Sequence, residues 1–273
     1  MSPSVEPVVV TDTEKRTVSI RLASDQLVVT ETRYAAGEKG PDPHVHHQHV
    51  DCFYILEGAL TLSLEDGERT LGPKTFALVP PDVIHTFRND GPGELRFFNF
   101  HAPGLGFDRY LQGLYDETFA VPFDQHPPPE GGGRDPSIVI AGTAELVAER
   151  RPSLDVVLLA DAPELGISSS LGAPGGPSPP PHVHPRHAES FHVLEGEMLF
   201  TVDGSEVHAV AGSWVHVPPG TVHWFSFPGS DDVRFLSVHT PSYGWGDFLR
   251  ALHTARNDDE LVAARAAFDQ EAV

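Results

Sequence analysis

The amino-acid sequence predicts an all-β fold in two tandem copies, each followed by a short helical segment. Three observations predict it: an internal repeat, short runs in which apolar and polar residues alternate, and turn residues between those runs. The chain has 273 residues, with 25 glycines and 26 prolines that fall between the apolar runs. This distribution is typical of proteins with many short strands. Hydrophobic residues make up 40% of the chain, which is sufficient for packed cores.

The repeat keeps one register over most of its length. HVHHQHVDCFYILEG (44–58) aligns with HVHPRHAESFHVLEG (182–196) at an offset of 138 residues (182 − 44). The same offset aligns GFDRYLQGL (106–114) with GWGDFLRAL (244–252), so even the segments after each copy repeat. A register held this far indicates duplication.

The domain boundary is predicted from composition. HPPPEGGGRDP (126–136) is a Pro/Gly stretch that cannot form the interior of a strand or helix. We therefore expect an N-terminal domain over residues 1–125, a linker over 126–136 and a C-terminal domain over 137–273.

Each copy contains a hairpin with period-2 alternation, which places one face of a strand inside a barrel. The inward residues are Leu60, Leu62 and Leu64 in the first copy and Met198, Phe200 and Val202 in the second. Asp66-Gly67 and Asp203-Gly204 supply the turns.

Helices are predicted only after the strands. Residues 106–114 and 244–255 have helical spacing, and Asn257 with Glu260 forms a capping-box pattern before an Ala-rich tail.

The charge balance limits the choice of partners. Eighteen basic and 39 acidic residues give a net charge of −21, which disfavours binding to nucleic acid or to an anionic membrane. The single cysteine, Cys52, excludes an internal disulfide and is expected to be a buried, inert thiol. No basic segment followed by an apolar core opens the chain, so we expect a cytoplasmic protein.

Sixteen histidines are the anomaly of the composition. A His-x-His pair on a strand, here His182 and His184, points two imidazoles to one face. Glu189 follows on the return strand, and His223 comes after a Pro-x-Gly turn. Three imidazoles and one carboxylate suit a divalent first-row metal, although the set does not distinguish iron, manganese, nickel, cobalt and zinc.

Two motifs of the second copy carry a family resemblance. Residues 176–196 read G-x5-H-x-H-x4-E-x6-G, and residues 212–223 read G-x5-P-x-G-x2-H. They resemble the two motifs of the cupin superfamily, whose fold is a small double-sheet jelly-roll barrel. The resemblance implies two tandem cupin barrels. It also implies that one metal ion is bound by His182, His184, Glu189 and His223.

The first copy departs from this pattern. Residues 40–58 read G-x3-H-x-H-x4-D-x6-G, so an aspartate stands where the family has glutamate. Lys74 and Asp82 replace two glycines of the second motif. The ligands that the resemblance implies here are His44, His46, Asp51 and His85. Aspartate is one methylene shorter, so it reaches the metal less well or through water, and His47 or His49 is an alternative ligand.

The remaining histidines have ordinary interpretations. His47, His49 and His187 flank the ligands and are expected to support them or to lie at an entrance. His101 and His239 repeat at the 138 offset and are expected to make structural hydrogen bonds. A surface or hydrogen-bonded position is expected for His126, His208, His216 and His253.

The function is inferred from a finer resemblance. Residues 51–89 and 189–204 resemble the quercetin 2,3-dioxygenase-like group of metal bicupins. This implies a metal-dependent dioxygenase that acts with O2 on a small aromatic or enol substrate, with Glu189 as general base. Inward phenylalanines, such as Phe191 and Phe225, would line an apolar pocket.

Two alternative functions remain open, and so does the oligomeric state. One is a metal-dependent decarboxylase, lyase or isomerase. The oxalate decarboxylase type favours a small polar pocket and a tryptophan after the ligand glutamate, where this chain has Ser190 and Phe191. The other is a non-catalytic cupin that binds a small molecule. A monomer and a homodimer are both compatible with a duplicated barrel.

Overall fold

The computed structural model describes residues 7–115, 123–148 and 154–273. These residues form two compact units, divided between Thr143 and Ala144. Strands dominate both units and helices are few and short, which confirms the predicted all-β class.

The N-terminal unit is built from two antiparallel sheets, ordered β1-β2-β3-β9-β4-β7-β10 and β6-β5-β8. Its described elements are β1 (Val8–Asp12), β2 (Arg16–Ala23), β3 (Val28–Tyr34), β4 (Val50–Glu57), β5 (Leu60–Leu64), β6 (Gly67–Leu71), β7 (Phe76–Val79), β8 (His85–Arg88), β9 (Leu95–Ala102), α1 (Phe107–Tyr115), a 3-10 turn (Pro136–Ile138) and β10 (Ile140–Ala141).

The C-terminal unit repeats this plan with sheets ordered β11-β12-β13-β20-β15-β18 and β17-β16-β19-β14-β21. Its described elements are β11 (Glu145–Ala148), β12 (Leu154–Asp161), β13 (Gly166–Gly172), β14 (His182–Val183), β15 (Ala188–Glu195), β16 (Glu197–Val202), β17 (Ser205–Val210), β18 (Trp214–Val217), β19 (His223–Ser226), β20 (Val233–Thr240), α2 (Trp245–Thr254), α3 (Asp258–Ala267) and β21 (Glu271–Ala272).

The sequence repeat is also a structural repeat. The bounds of β4, β7, β8 and β9 recur 138 residues later as those of β15, β18, β19 and β20. The pairing recurs too, since Asp51 lies opposite His101 on β9 and Glu189 lies opposite His239 on β20. Both hairpins form where the alternation predicts them, as β5–β6 and β16–β17.

Each unit has a core between its two sheets. In the N-terminal unit Phe53 and Phe87 are buried in a cluster with residues of β5 and β9. In the C-terminal unit Phe191 is fully buried, and the half-buried Phe225 packs on the same cluster. The expectation that Phe191 and Phe225 point inward is confirmed. Cys52 is buried, as predicted.

The Pro/Gly stretch over residues 126–136 differs from its predicted role as a linker. Its backbone is hydrogen-bonded to the N-terminal unit, from His126 N to Val45 O at 2.9 Å and from Arg134 N to Asp82 O at 2.7 Å. The chain then continues into β10, which pairs with β7. Proline and glycine prevent a regular element here, but they do not prevent packing, so the division between units falls after Thr143.

The helices follow the expected positions. The segment predicted over 106–114 forms α1, and the segment predicted over 244–255 forms α2. Asn257 caps α3, because its Oδ1 accepts the backbone N–H of Glu260 at 3.0 Å. Within the described ranges, no helix has both the length and the apolar character needed to cross a membrane.

The two glycine replacements of the first copy keep the backbone of the motif. Lys74 has φ 65° and Asp82 has φ 67°, and the equivalent Gly212 and Gly220 have φ 92° and 76°. The fold therefore demands the left-handed region at both positions, where a side chain with a Cβ is strained.

The variant Lys74→Gly is expected to raise the free energy of unfolding by about 1 kcal/mol, because the relief of strain exceeds the entropic disadvantage of glycine. Urea unfolding of the metal-free protein measures it. The reciprocal variant Gly212→Lys should be destabilising by a similar amount. A loss of stability in Lys74→Gly would show that the lysine side chain contributes more than the strain removes.

Candidate metal centres

The second cluster consists of His182, His184, Glu189 and His223, which β14, β15 and β19 bring together. His182 and His223 are direct partners across the β14–β19 ladder. All four side chains are buried, and one potential ligand atom from each lies within 4.8 Å of the others. The structure therefore brings together all four residues that the sequence motif nominated.

The three imidazoles of the second cluster are oriented by backbone carbonyls. Each Nδ1 faces one: His182 to Pro180 at 2.9 Å, His184 to Asp269 at 3.1 Å and His223 to Thr221 at 3.1 Å. A carbonyl oxygen can only accept a hydrogen bond, so each Nδ1 carries a proton. In a neutral ring, Nε2 then presents its lone pair to the centre of the cluster.

This arrangement fits a bound cation. Glu189 Oε2 lies 3.2 Å from His184 Nε2 and 2.9 Å from His223 Nε2, so lone pairs face a carboxylate oxygen. Burial lowers the pKa of His182 to about 4, which keeps that ring neutral. Burial also disfavours the charged form of His223, but Glu189 outweighs it and raises the pKa of that ring. Three nitrogens and one carboxylate facing one point are a donor set for a divalent metal.

The second oxygen of Glu189 is held from the other side. Ser237 Oγ donates to Oε1 at 2.9 Å, and His239 Nε2 lies 3.3 Å from it. Burial alone would raise the pKa of Glu189, but the neighbouring imidazoles of His239, His184 and His223 hold it well below its usual range. Glu189 is therefore ionised, and the ionised form is the one that can bind a metal.

A chain of contacts continues from Glu189 to the C-terminal segment. His187 Nε2 lies 3.1 Å from His239 Nδ1, and Asp269 Oδ2 accepts from His187 Nδ1 at 2.9 Å. Asp269 also accepts from the backbone N–H and the Nε of Arg186, at 3.0 and 2.6 Å. Because the Asp269 carbonyl faces His184, one residue supports both a predicted ligand and the neighbours of Glu189.

The first cluster repeats this geometry with His44, His46, Asp51 and His85, all buried and with ligand atoms within the same 4.8 Å. Each Nδ1 again faces a backbone carbonyl: His44 that of Asp42 at 2.8 Å, His46 that of Asp124, and His85 that of Val83 at 2.9 Å. His46 Nε2 is buried and, within the described part of the chain, has no hydrogen-bond partner. A buried nitrogen without a partner is costly, and a metal ion would satisfy it.

The support of Asp51 also resembles that of Glu189. Asn99 Nδ2 donates to Asp51 Oδ1, and Asn99 Oδ1 lies 2.9 Å from His101 Nε2. His101 then contacts His49 at 2.9 Å, and His49 Nδ1 contacts Asp124 at the same distance. Asn99 thus occupies the place that Ser237 has in the second cluster.

The histidines flanking the ligands take different positions. His49 and His187 are fully buried and contact the ligands' neighbours, in agreement with a supporting role. His47 is half-exposed and its ring bonds Asp82, so it lies outside the first cluster. His49 has both ring nitrogens engaged, by Asp124 and His101.

The shorter aspartate leaves a looser first cluster. Asp51 Oδ2 lies 3.2 Å from His85 Nε2 and 3.7 Å from His46 Nε2. The corresponding distances of Glu189 are 2.9 and 3.2 Å.

The variant Asp51→Glu is expected to strengthen metal retention at the first cluster, because one methylene extends the carboxylate toward the imidazoles. Elemental analysis after dialysis against a weak chelator measures the retained metal. Glu189→Asp is the matched control and should weaken retention at the second cluster. An unchanged metal content in Asp51→Glu would contradict the interpretation.

Each cluster borders a cavity of its own unit, and the two cavities differ in character. The second borders a cavity of about 280 Å³, walled by Phe191, Phe225, Phe235, Trp245, Phe248 and Phe268. The first borders a cavity of about 160 Å³, whose lining includes Arg16, Thr30, Thr32, Tyr34, Tyr110 and Gln125. Aromatic rings line both cavities, but the larger one is more apolar and the smaller one carries more polar groups.

Sequence reasoning missed Asp124 and Asp269, which support the two clusters. The tripeptide Phe-Asp-Gln occurs at 123–125 and again at 268–270. In both copies the phenylalanine packs on supporting histidines and the glutamine lines the cavity. The repeated tripeptide was the available signal, but its offset is 145 residues (269 − 124), outside the register of the barrels.

A family model matches both copies of the repeat. The cupin domain matches residues 30–101 and again residues 172–239, together just over half of the chain. The chain is a member of the cupin family. Each match falls within one structural unit, so the protein is a bicupin, and the described residues of each barrel include one His/carboxylate cluster.

Known proteins extend this comparison. The cupin is 30% identical to quercetin 2,3-dioxygenase of Bacillus subtilis (strain 168) over 101 residues, which are 37% of this chain and 28% of that protein. The alignment therefore spans less than a third of the relative's length. Among solved structures, AerE of Microcystis aeruginosa has a TM-score of 0.63 at 14% identity, covering 87% of this chain and 98% of AerE. Oxalate decarboxylase of Lactobacillus farciminis, a formate complex, has a TM-score of 0.60 at 12% identity, covering 86% and 84%. At these identities the solved structures show the shared fold.

Buried histidines make the metal-free cupin sensitive to acid. Burial lowers the pKa to about 3 in His44 and His187 and to about 4 in His49, His182 and His216. In an unfolded chain histidine titrates near pH 6.5. Between about pH 6.5 and 4 the unfolded state therefore binds more protons, so the stability present above this window is lost as the pH falls through it.

We expect the free energy of unfolding of the metal-free protein to fall steeply from pH 6.5 to pH 4.5, with an uptake of about two or more protons on unfolding. Urea unfolding at several pH values gives this slope. A free energy that is constant over the window would show that these histidines are protonated in the folded state.

Proposed function

We propose that the second cluster holds a divalent first-row metal and that the protein is a metal-dependent dioxygenase for a small aromatic or enol substrate. One observation carries the proposal: His182, His184 and Glu189 of the cluster line a cavity whose wall includes six aromatic side chains. Planar substrates pack well on such a wall, and concave apolar sites with a few polar groups are typical of small-molecule binding. The likeness to quercetin 2,3-dioxygenase supports the same chemistry.

Glu189 is the residue that we assign to proton transfer. It lies beside the imidazole nitrogens and lines the cavity, so its carboxylate reaches a hydroxyl of a ligand bound there. Its lowered pKa makes it a weak base toward an ordinary hydroxyl. A bound divalent metal supplies the missing factor, since it lowers the pKa of a hydroxyl that coordinates it. Ser237 and His239 hold Oε1 and thereby keep the carboxylate in one orientation.

The aromatic walls of the cavity position the substrate and exclude water. Phe191 is fully buried under the cluster, and Trp245 stacks on His239 with ring centroids 3.8 Å apart. These rings position a planar substrate against the imidazoles and exclude water from its reacting face.

A second candidate is a metal-dependent decarboxylase, lyase or isomerase, and the first cavity favours it. That cavity is smaller, and Arg16, Tyr34 and Gln125 give it a polar lining. The structural likeness to oxalate decarboxylase is compatible with both candidates because it concerns the fold. A binding protein without catalysis is the third candidate.

Oxygen consumption separates the candidates. Protein loaded with iron, manganese or nickel is incubated with a flavonol in an oxygen electrode, with Glu189→Gln as the matched variant. We expect uptake with at least one metal and a decrease of about 100-fold or more in Glu189→Gln. No uptake with any metal would overturn the dioxygenase proposal, and carbon dioxide release without oxygen uptake would favour the second candidate.

A further inference from the structure

We propose that the cavity of the C-terminal unit selects a ligand with a planar apolar body and one anionic oxygen group, which Arg265 binds. The inference deepens the proposed function, on which it rests, by naming the substrate class of the same site: an aromatic acid.

Arg265 is the single cationic side chain in the described lining of this cavity. It lies in the last turn of α3 and is half-buried. Within the described ranges no carboxylate lies within ion-pair distance of Arg265, whereas Arg186 pairs with Asp269 and Arg250 with Glu145. An unpaired guanidinium at the wall of an apolar cavity is available to bind an anion.

The acidic net charge of the protein makes the missing ion-pair partner of Arg265 more informative. With a charge of −21, the protein has carboxylates in abundance, yet within the described ranges none of them pairs with Arg265. The first cavity provides a direct contrast, because Arg16 lines it but bonds Glu38 at 2.7 Å and lies over the Tyr34 ring. Arg16 is therefore already neutralised, and only the C-terminal cavity offers a free cation among the described residues.

A second polar group beside Arg265 also lacks a partner. Gln270 is 9% exposed, and its buried Oε1 has no hydrogen-bond partner among the residues that the structure describes. Gln270 lines the same cavity, and its backbone N–H bonds the Arg265 carbonyl at 3.1 Å, which fixes the two residues to one another. A buried acceptor without a donor is costly, and a ligand hydroxyl or a protonated acid would satisfy it.

The other side of the cavity defines the rest of the ligand. His182, His184 and Glu189 line it, and aromatic rings form the wall. A ligand that satisfies all of these groups has an aromatic body between the predicted metal ligands and an anionic oxygen at Arg265. Guanidinium binds a carboxylate through two parallel hydrogen bonds, which favours an acid over a neutral amide of the same shape.

The test compares two isosteric probes, 2-naphthoate and 2-naphthamide, by calorimetry with the metal-loaded protein under nitrogen. We expect the wild type to bind the acid about tenfold or more tightly than the amide, the difference of one charge-assisted hydrogen bond. Arg265→Gln should abolish the preference, Arg265→Lys should retain part of it, and Arg16→Gln is the matched control that should leave it unchanged.

Two results would overturn the inference: equal affinities in the wild type, or an undiminished preference in Arg265→Gln, which would place the carboxylate on the metal. The oxygen-electrode assay is independent of both. Acid preference that depends on Arg265 without any oxygen uptake would support this inference and refute the dioxygenase. Oxygen uptake without acid preference would support the dioxygenase and refute the role of Arg265.

Discussion

Replacing His184 by alanine is expected to empty the second cluster of metal while the barrel stays folded. The variant removes one of three Nε2 donors, and the remaining donors cannot complete the set around a divalent metal. Because support of the ligands by neighbouring groups alone is typically worth about 10- to 100-fold in affinity, loss of a ligand should exceed that. Elemental analysis of the dialysed variant measures the metal, and circular dichroism checks the fold.

His46→Ala is the matched control in the first barrel and should spare the second cluster. Wild-type metal content in both variants would contradict the assignment of ligands. Loss of metal from both clusters in either variant would show that the substitution disturbs the structure beyond its own cluster.

Removing the charge of Asp269 is expected to weaken metal binding at the second cluster by about 10- to 100-fold without removing a ligand. In Asp269→Asn, the backbone carbonyl still faces His184, but the carboxylate that accepts from His187 and Arg186 is lost. His187 then no longer fixes His239, which lies against Glu189. Competition with a fluorescent chelator gives the affinity for each divalent metal.

Asp124→Asn is the equivalent change in the first barrel, where Asp124 accepts from His49. It should weaken the first cluster and leave the second unchanged. Equal metal affinities of the wild type and Asp269→Asn would mean that the contact of Asp269 with His187, and through it with His239, does not contribute to metal binding.

The short-range part of each site could be predicted from the sequence. His182, His184 and Glu189 lie within one strand–loop–strand segment, so spacing and strand periodicity place them on one face. The assignment of His223 to the same site depended on the internal repeat and on the Pro-x-Gly turn motif, which the resemblance to cupins connected with the first motif. The same reasoning succeeded in the first copy, because Lys74 and Asp82 adopt the backbone that glycine would have adopted.

The long-range part could not be predicted in this way. Asp269 lies 85 residues from His184 along the chain, and it is brought there by β21, which pairs with β14. Periodicity reports which face a residue occupies, but it does not report which segment returns to cover that face. The same limit explains residues 126–136, whose composition excluded a regular element without revealing that their backbone bonds the N-terminal barrel.

Anomalous diffraction from crystals of the metal-loaded protein tests the central claim most directly. We predict a peak in the second cluster about 2.0–2.2 Å from the Nε2 atoms of His182, His184 and His223, with Glu189 as the fourth protein ligand. The first cluster should show a weaker peak, in keeping with the shorter reach of Asp51. Metal bound in solution but absent from the second cluster in the crystal would contradict the account.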